Sequence, residues 1–116
     1  MLLLLLSDLE QMGQSVLNEF NRSVAHFGAT ESHDFERQVQ RLEAKLEQLY
    51  AVAATMARRE TELNNVADIW ARMVSISDAI AQAVADLQKK QPAKAVSFDR
   101  ILDIRNECEE NRALHA

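Results

Sequence analysis

Residues 31–91 read ESHDFERQVQRLEAKLEQLYAVAATMARRETELNNVADIWARMVSISDAIAQAVADLQKKQ, sixty-one consecutive positions without a glycine or a proline. Most are good helix formers, so the stretch reads as helix from end to end. In its first half Phe35, Val39, Leu42, Leu46, Leu49, Ala53 and Met56 alternate steps of four and three. That spacing is the seam of a left-handed coiled coil, with Glu36, Gln38, Glu43 and Lys45 on its flanks.

At Glu60 the seam requires an apolar residue and meets a carboxylate. Leu63, Val66, Trp70, Met73, Ile80, Val84 and Leu87 then resume the pattern, but the step from Leu63 to Val66 is three where the earlier phase wants four, a stammer in coiled-coil terms. Two readings follow. In the first, one helix covers 31–90, about 90 Å long at 1.5 Å per residue, and its buried face rotates near Glu60. That carboxylate then stays in water, because burying it without partners costs several kcal/mol. In the second, the chain turns near 60–65, with Asn64 or Asn65 capping a new helix, and the fold is a three- or four-helix bundle. The missing glycine and proline favour the continuous helix, since two asparagines inside it cost only about half a kcal/mol each.

Shorter helices are expected on both sides. Ser7-Asp8-Leu9-Glu10 has the form of a capping box, and Leu9, Val16, Phe20, Val24 and Phe27 mark a stripe flanked by Met12 and Leu17. Gly28 supplies a left-handed stop, which gives a first helix over 7–27; the leucines before Ser7 would extend it by a turn. Thr30 or Ser32 can cap the next helix, with Glu31 and Asp34 in its first turn. Lys89, Lys90 and Pro92 close the long stretch, and Ser97 with Asp99 opens a last helix over 97–112, carried by Phe98, Ile101, Leu102, Ile104 and Cys108. From Glu109 onward the tail is expected to fray. The fold class is therefore all-α: one domain, 1–116, a long central coiled-coil-like helix covered by two shorter flanking helices from different azimuths.

Composition narrows the function. Six aromatics, two glycines and one proline in 116 residues argue against a turn-rich β fold. A net charge of −5 gives no basic footprint for nucleic acid. Met1 and Leu2–Leu6 lack a basic flank and are far too short to cross a membrane, which takes about 20 apolar residues. They read as an apolar lead-in to the core or a patch for a partner. With no secretory pattern in that run, the cytoplasm is the expected location. The single cysteine, Cys108, cannot form an internal disulfide and reads as a free buried thiol, with an intermolecular disulfide as the alternative, pointing to a reducing compartment or to indifference about redox.

No catalytic or metal-binding motif stands out, and neither cofactor nor metal is expected. His26, His33 and His115 are scattered, and His33-x-x-Glu36 runs opposite to the Glu-x-x-His of carboxylate-bridged di-iron bundles. His26 is expected to offer its ring to free carbonyls at the end of the first helix. The row Arg37, Arg41 and Lys45 reads as a solvated face or a receptor for an acidic partner.

The ending from Arg105-Asn106 to His115 resembles the Arg-Asn…His element of HEPN ribonucleases, all-α proteins. The resemblance implies Arg105 and His115 flanking a scissile phosphate. Nine residues separate them, more than that family leaves, and Glu107, Glu109 and Glu110 would repel RNA. Leu63-Asn64-Asn65-Val66-Ala67-Asp68-Ile69-Trp70 resembles an ending seen in small coiled-coil subunits of the fungal DASH kinetochore ring.

The expected function is non-catalytic: a helical protein–protein interaction or scaffold subunit, not an enzyme, pairing through its seams with itself or with a hetero-coiled-coil partner. The interface is expected at Phe35, Val39, Leu42, Leu46, Leu49, Met56, Leu63 and Trp70. The alternatives are a small acidic chaperone or adaptor that holds a partner's helix and, below it, a HEPN-like ribonuclease.

Overall fold

The seam of residues 35–53 is buried as its spacing requires, but against helices of the same chain. The computed structural model describes residues 2–27, 32–90 and 96–115, and the side chains of 6–23, 35–90 and 96–115. Four helices follow in order: α1 (Leu2–Phe27), α2 (Ser32–Arg59), α3 (Leu63–Lys90) and α4 (Asp99–Leu114). Among the described residues none lies in a strand. The all-α class is as read.

The single long helix over 31–90 is not. The chain turns at residues 60–62, and two helices of 28 residues each pack as a hairpin. The described residues span only 48 Å in their longest direction, where a continuous helix would need about 90 Å. The turn has a physical cause that glycine and proline do not supply. Glu60 Oε1 accepts from the amides of Thr61 (3.1 Å) and Glu62 (3.2 Å), two donors that leaving the helix would otherwise orphan. These bonds, the Glu62 amide first, hold the Glu60 carboxyl below its ordinary range. The carbonyl of Glu62, not Asn64 or Asn65, accepts the first bonds of α3, from the amides of Asn65 and Val66. The carboxylate that interrupts the seam is therefore the residue that organises the turn.

Both ends of the chain depart from their sequence signals. α1 begins at Leu2, so Ser7 lies inside it and the expected capping box is unused; Glu10 instead pairs with Arg72 of α3. Leu6 belongs to the core. α4 begins after Phe98 with no side-chain cap, so Ser97 does not serve, and it runs on to Leu114 rather than fraying at Glu109. Asn111 Nδ2 donates to the Tyr50 hydroxyl (3.2 Å), the carbonyl of Asn111 meets His115 Nδ1 (2.8 Å), and Arg112 pairs with Glu109. The expected roles of Gly28, Thr30, Glu31 and Pro92, and of the Val24, His26, Phe27, His33 and Asp34 side chains, lie outside the described residues.

Helix α1 runs antiparallel to α2, with Glu19 beside Arg41 and Lys45, and parallel to α3, with Glu10 beside Arg72. α4 runs antiparallel to α3, with Arg105 beside Asp78 and the Val96 amide on Gln88 Oε1. Among the described residues α1 and α4 make no contact with each other, although both pack on α2 and α3. They flank the hairpin on opposite sides. The core between them includes Leu9, Leu46, Ile69, Met73, Ile80, Val84, Ile101, Ile104 and Cys108, all essentially without solvent contact. Ser77, buried among them, is satisfied by donating its hydroxyl to the carbonyl of Met73 (2.7 Å), the backbone partner a helical serine finds most readily.

Candidate protein-interaction surface

Six of the eight residues expected to meet a partner are occupied within the chain. Phe35, Val39, Leu42, Leu46, Leu49 and Trp70 are buried, and Trp70 packs its ring on Tyr50 with centroids 5.3 Å apart at 47°. Their seam surface is spent on the hairpin and its two covering helices. Met56 is half-buried, and Leu63, beside the 60–62 turn, is 67% exposed. Apolar surface open to a partner must therefore be sought elsewhere.

It lies beside α1. Met12 on α1 and Val52 on α2 are 38% and 39% exposed, and with Met56 they form the apolar wall of a groove of about 520 Å3, rimmed by Asp8, Gln11 and Ser15. Methionine suits such a surface because its unbranched, polarisable chain adapts to different partners. On the other flank, α1 and α3 leave a groove of about 510 Å3 lined by Gly13, Leu17, Ile76 and Ala79. A further 480 Å3 continues it past Phe20, Ala83 and Asp86.

Between these grooves α1 sits very close to α3. A Cβ added at Gly13 would stand 2.8 Å from Ile76 Cγ1 and Cγ2, closer than real carbon contacts allow. Gly13 is the residue that lets Ile76 seat against the α1 backbone. Charged clasps close the two ends. Glu10 pairs with Arg72 at one end; at the other, Glu19 takes Arg41 (2.6 Å) and Lys45 (2.7 Å). The Lys45 hydrogen bond, followed by the Arg41 charge, holds the Glu19 carboxyl below its usual range. Two members of the basic row are thus engaged by α1. Both clasps are half exposed, and such pairs contribute little to stability.

Across the hairpin, α4 is set differently. Ile101, Ile104 and Cys108 are fully enclosed, and burial pushes the Cys108 thiol up to about 12, so it stays protonated and unreactive, a free buried thiol as read. Arg105 and His115 do not converge on one point. Arg105 pairs with Asp78 on α3, His115 bonds the carbonyl of Asn111, and ten positions of chain separate them by about 15 Å of axial rise. No group of three or more His, Cys, Asp or Glu among the described residues is placed to hold a metal ion.

Gly13, Ile76 and Val52 fall outside every seam and cap signal in the sequence, where Met12 is only a flank of the α1 stripe. The one available signal was Gly13 itself, a helix-weakening residue kept inside an otherwise helical stretch, which marks a place where another element comes close. Comparison with protein-family models, curated proteins and solved structures gives no match. No helix among the described residues is long and apolar enough to cross a membrane.

Proposed function

We propose that the chain is a non-catalytic helical interaction subunit that associates with further copies of itself, and that the α1 side of the bundle is its working surface. One observation carries this reading: Met12, Val52 and Met56 form an apolar groove beside α1 that the fold leaves uncovered. Contiguous exposed apolar surface rimmed by polar groups is the usual mark of a contact site, and self-pairing on a two-fold axis is the commonest way such a patch is covered. A reducing, cytoplasmic setting accords with the buried free thiol of Cys108.

Light scattering across the micromolar range tests it. A dimer or higher species is expected, weakened at least about tenfold by Val52→Glu, which sets an unpaired charge in the contact. A chain that stays monomeric on concentration rejects the reading. The adaptable Met12 and Met56 favour a second occupant of the same groove, an amphipathic helix of another protein, as in a small acidic chaperone or adaptor. That reading predicts a monomer that takes up one stoichiometric partner.

A further inference from the structure

Helix α1 buries Leu6, Leu9 and Phe20 yet keeps open surface on both of its flanks. It packs on α2 and α3 but not on α4, open grooves run along both of its flanks, and its two charged clasps are half exposed. Gly13, inside it, weakens the helix relative to alanine. What α1 covers is a shaped trough. Ile76 stands up as a knob, Arg72 lies toward one end and Arg41 with Lys45 toward the other, and Leu42 contributes to the floor beneath Phe20.

An occupant of that trough must be an amphipathic helix with a residue no larger than glycine on Ile76. Carboxylates three positions before and six positions after that residue face Arg72 and the Arg41–Lys45 pair and set its register. Glu10, Gly13 and Glu19 meet these requirements, and α1 of any other copy meets them equally well. We propose that α1 docks reversibly and that, in the self-associated form, each copy's trough is filled by α1 of a second copy. The exchange is reciprocal, closes on a two-fold axis, and reuses contacts already complementary, which makes it a low-cost route to a dimer. It also gives Leu42, expected from sequence to pair between chains, that role. The inference rests on the self-association reading: exchange joins two copies through their troughs, and the Met12–Val52–Met56 groove, rebuilt in each half of the exchanged pair, is the surface on which the two halves meet.

Chemical cross-linking of the full-length chain tests it. Glu10→Cys and Arg72→Cys are carried on separate chains, mixed, incubated, and treated with a short bismaleimide; both positions are exposed, and the buried Cys108 thiol is out of reach. A chain carrying both substitutions reports that α1 is docked, and a pair of Glu10→Cys with Asp103→Cys, on exposed α4 surface, measures chance encounters. The expected result is a covalent dimer from the 10–72 mixture at a yield at least about tenfold above the 10–103 pair, because docking holds the two thiols at a high effective concentration. Dimers by light scattering with equal 10–72 and 10–103 yields overturn the exchange and leave self-association standing. Monomers at every concentration overturn both.

Discussion

Helices α1 and α4 cover the same hairpin from opposite sides, and sequence alone would rank them the wrong way round. α1 has 26 residues and a leucine-rich start; α4 has 16, most of them polar. Yet α4 sets Ile101, Ile104 and Cys108 fully inside the core, while α1, which buries Leu6, Leu9 and Phe20, rides between open grooves and meets α3 closely at the glycine of position 13. Firm seating follows from how completely a few side chains are surrounded, not from how many apolar residues a helix carries. A long helix can be the looser cover.

The largest effect that separates the two sides is a core truncation. Ile104→Ala and Leu9→Ala each remove a fully buried side chain, and each is expected to cost about 2–5 kcal/mol by denaturant unfolding. Ile104→Ala should be the costlier of the pair, because α1 can shift into the open grooves on its flanks. Equal costs would erase the distinction.

Proline probes the hairpin that both helices share. Gln48→Pro, within α2, should cost about 3 kcal/mol or more by removing a helical hydrogen bond and clashing with the preceding turn. Thr61→Pro replaces a residue outside either helix, whose amide bonds only the neighbouring Glu60 side chain, and should leave the melting temperature within a few degrees of wild type. A large loss at Thr61 would restore the continuous helix.

Gly13→Ala sets two opposed terms on α1. Alanine gains about 1 kcal/mol of helix propensity but drives its Cβ into Ile76, and overpacking of this kind costs about 1–3 kcal/mol. A net loss is expected, and Ile76→Ala in the same chain should recover it. A stabilised Gly13→Ala single variant would show that the close approach is not needed.

Acid should loosen α1 first. The Glu19 carboxyl is held below its ordinary value of 4.5 by Lys45 and Arg41, so its contribution is complete above that value and lost as pH falls through the lower, folded one. Glu60 in the turn behaves likewise. Glu43 is raised, first by burial and then by Glu47; its contribution is complete below the ordinary value, lost as pH rises through the folded one, and so opposes them. Glu19→Gln should flatten the acid limb of the melting curve. An unchanged limb would remove Glu19 from the clasp.

How much of this was legible depended on whether a residue's role was local. The α2 seam from Phe35 to Ala53 was readable because heptad spacing reports one continuous buried face. Along α3 the same logic found Val66, Trp70, Met73, Ile80, Val84 and Leu87 but not Ile69, Ser77 or Ala81, since a helix packed on three neighbours buries a wider face than one seam. Of the two readings of the 60–65 junction the structure has the turn and the four-helix bundle, not the rotated continuous helix; the residues favour the latter because the turn is made by a carboxylate accepting from two backbone amides, and glutamate carries no turn signal. No local residue marks the last turns of α4, which bond Tyr50 through Asn111, sixty-one positions away. On the candidate surface, Met56 was singled out for its seam position, whereas Val52 follows no seam and Gly13 matters only through Ile76.

Native-state hydrogen exchange compares the two covering helices most directly. Amides of α1 from Leu9 to Phe20 should exchange through an opening of α1 alone, at a free energy below that of global unfolding, whereas amides of α4 from Ile101 to Cys108 should exchange only when the whole chain unfolds. Protection of α1 equal to that of α4, with the same dependence on denaturant, would contradict a reversibly docked α1 and the function assigned to that side of the bundle.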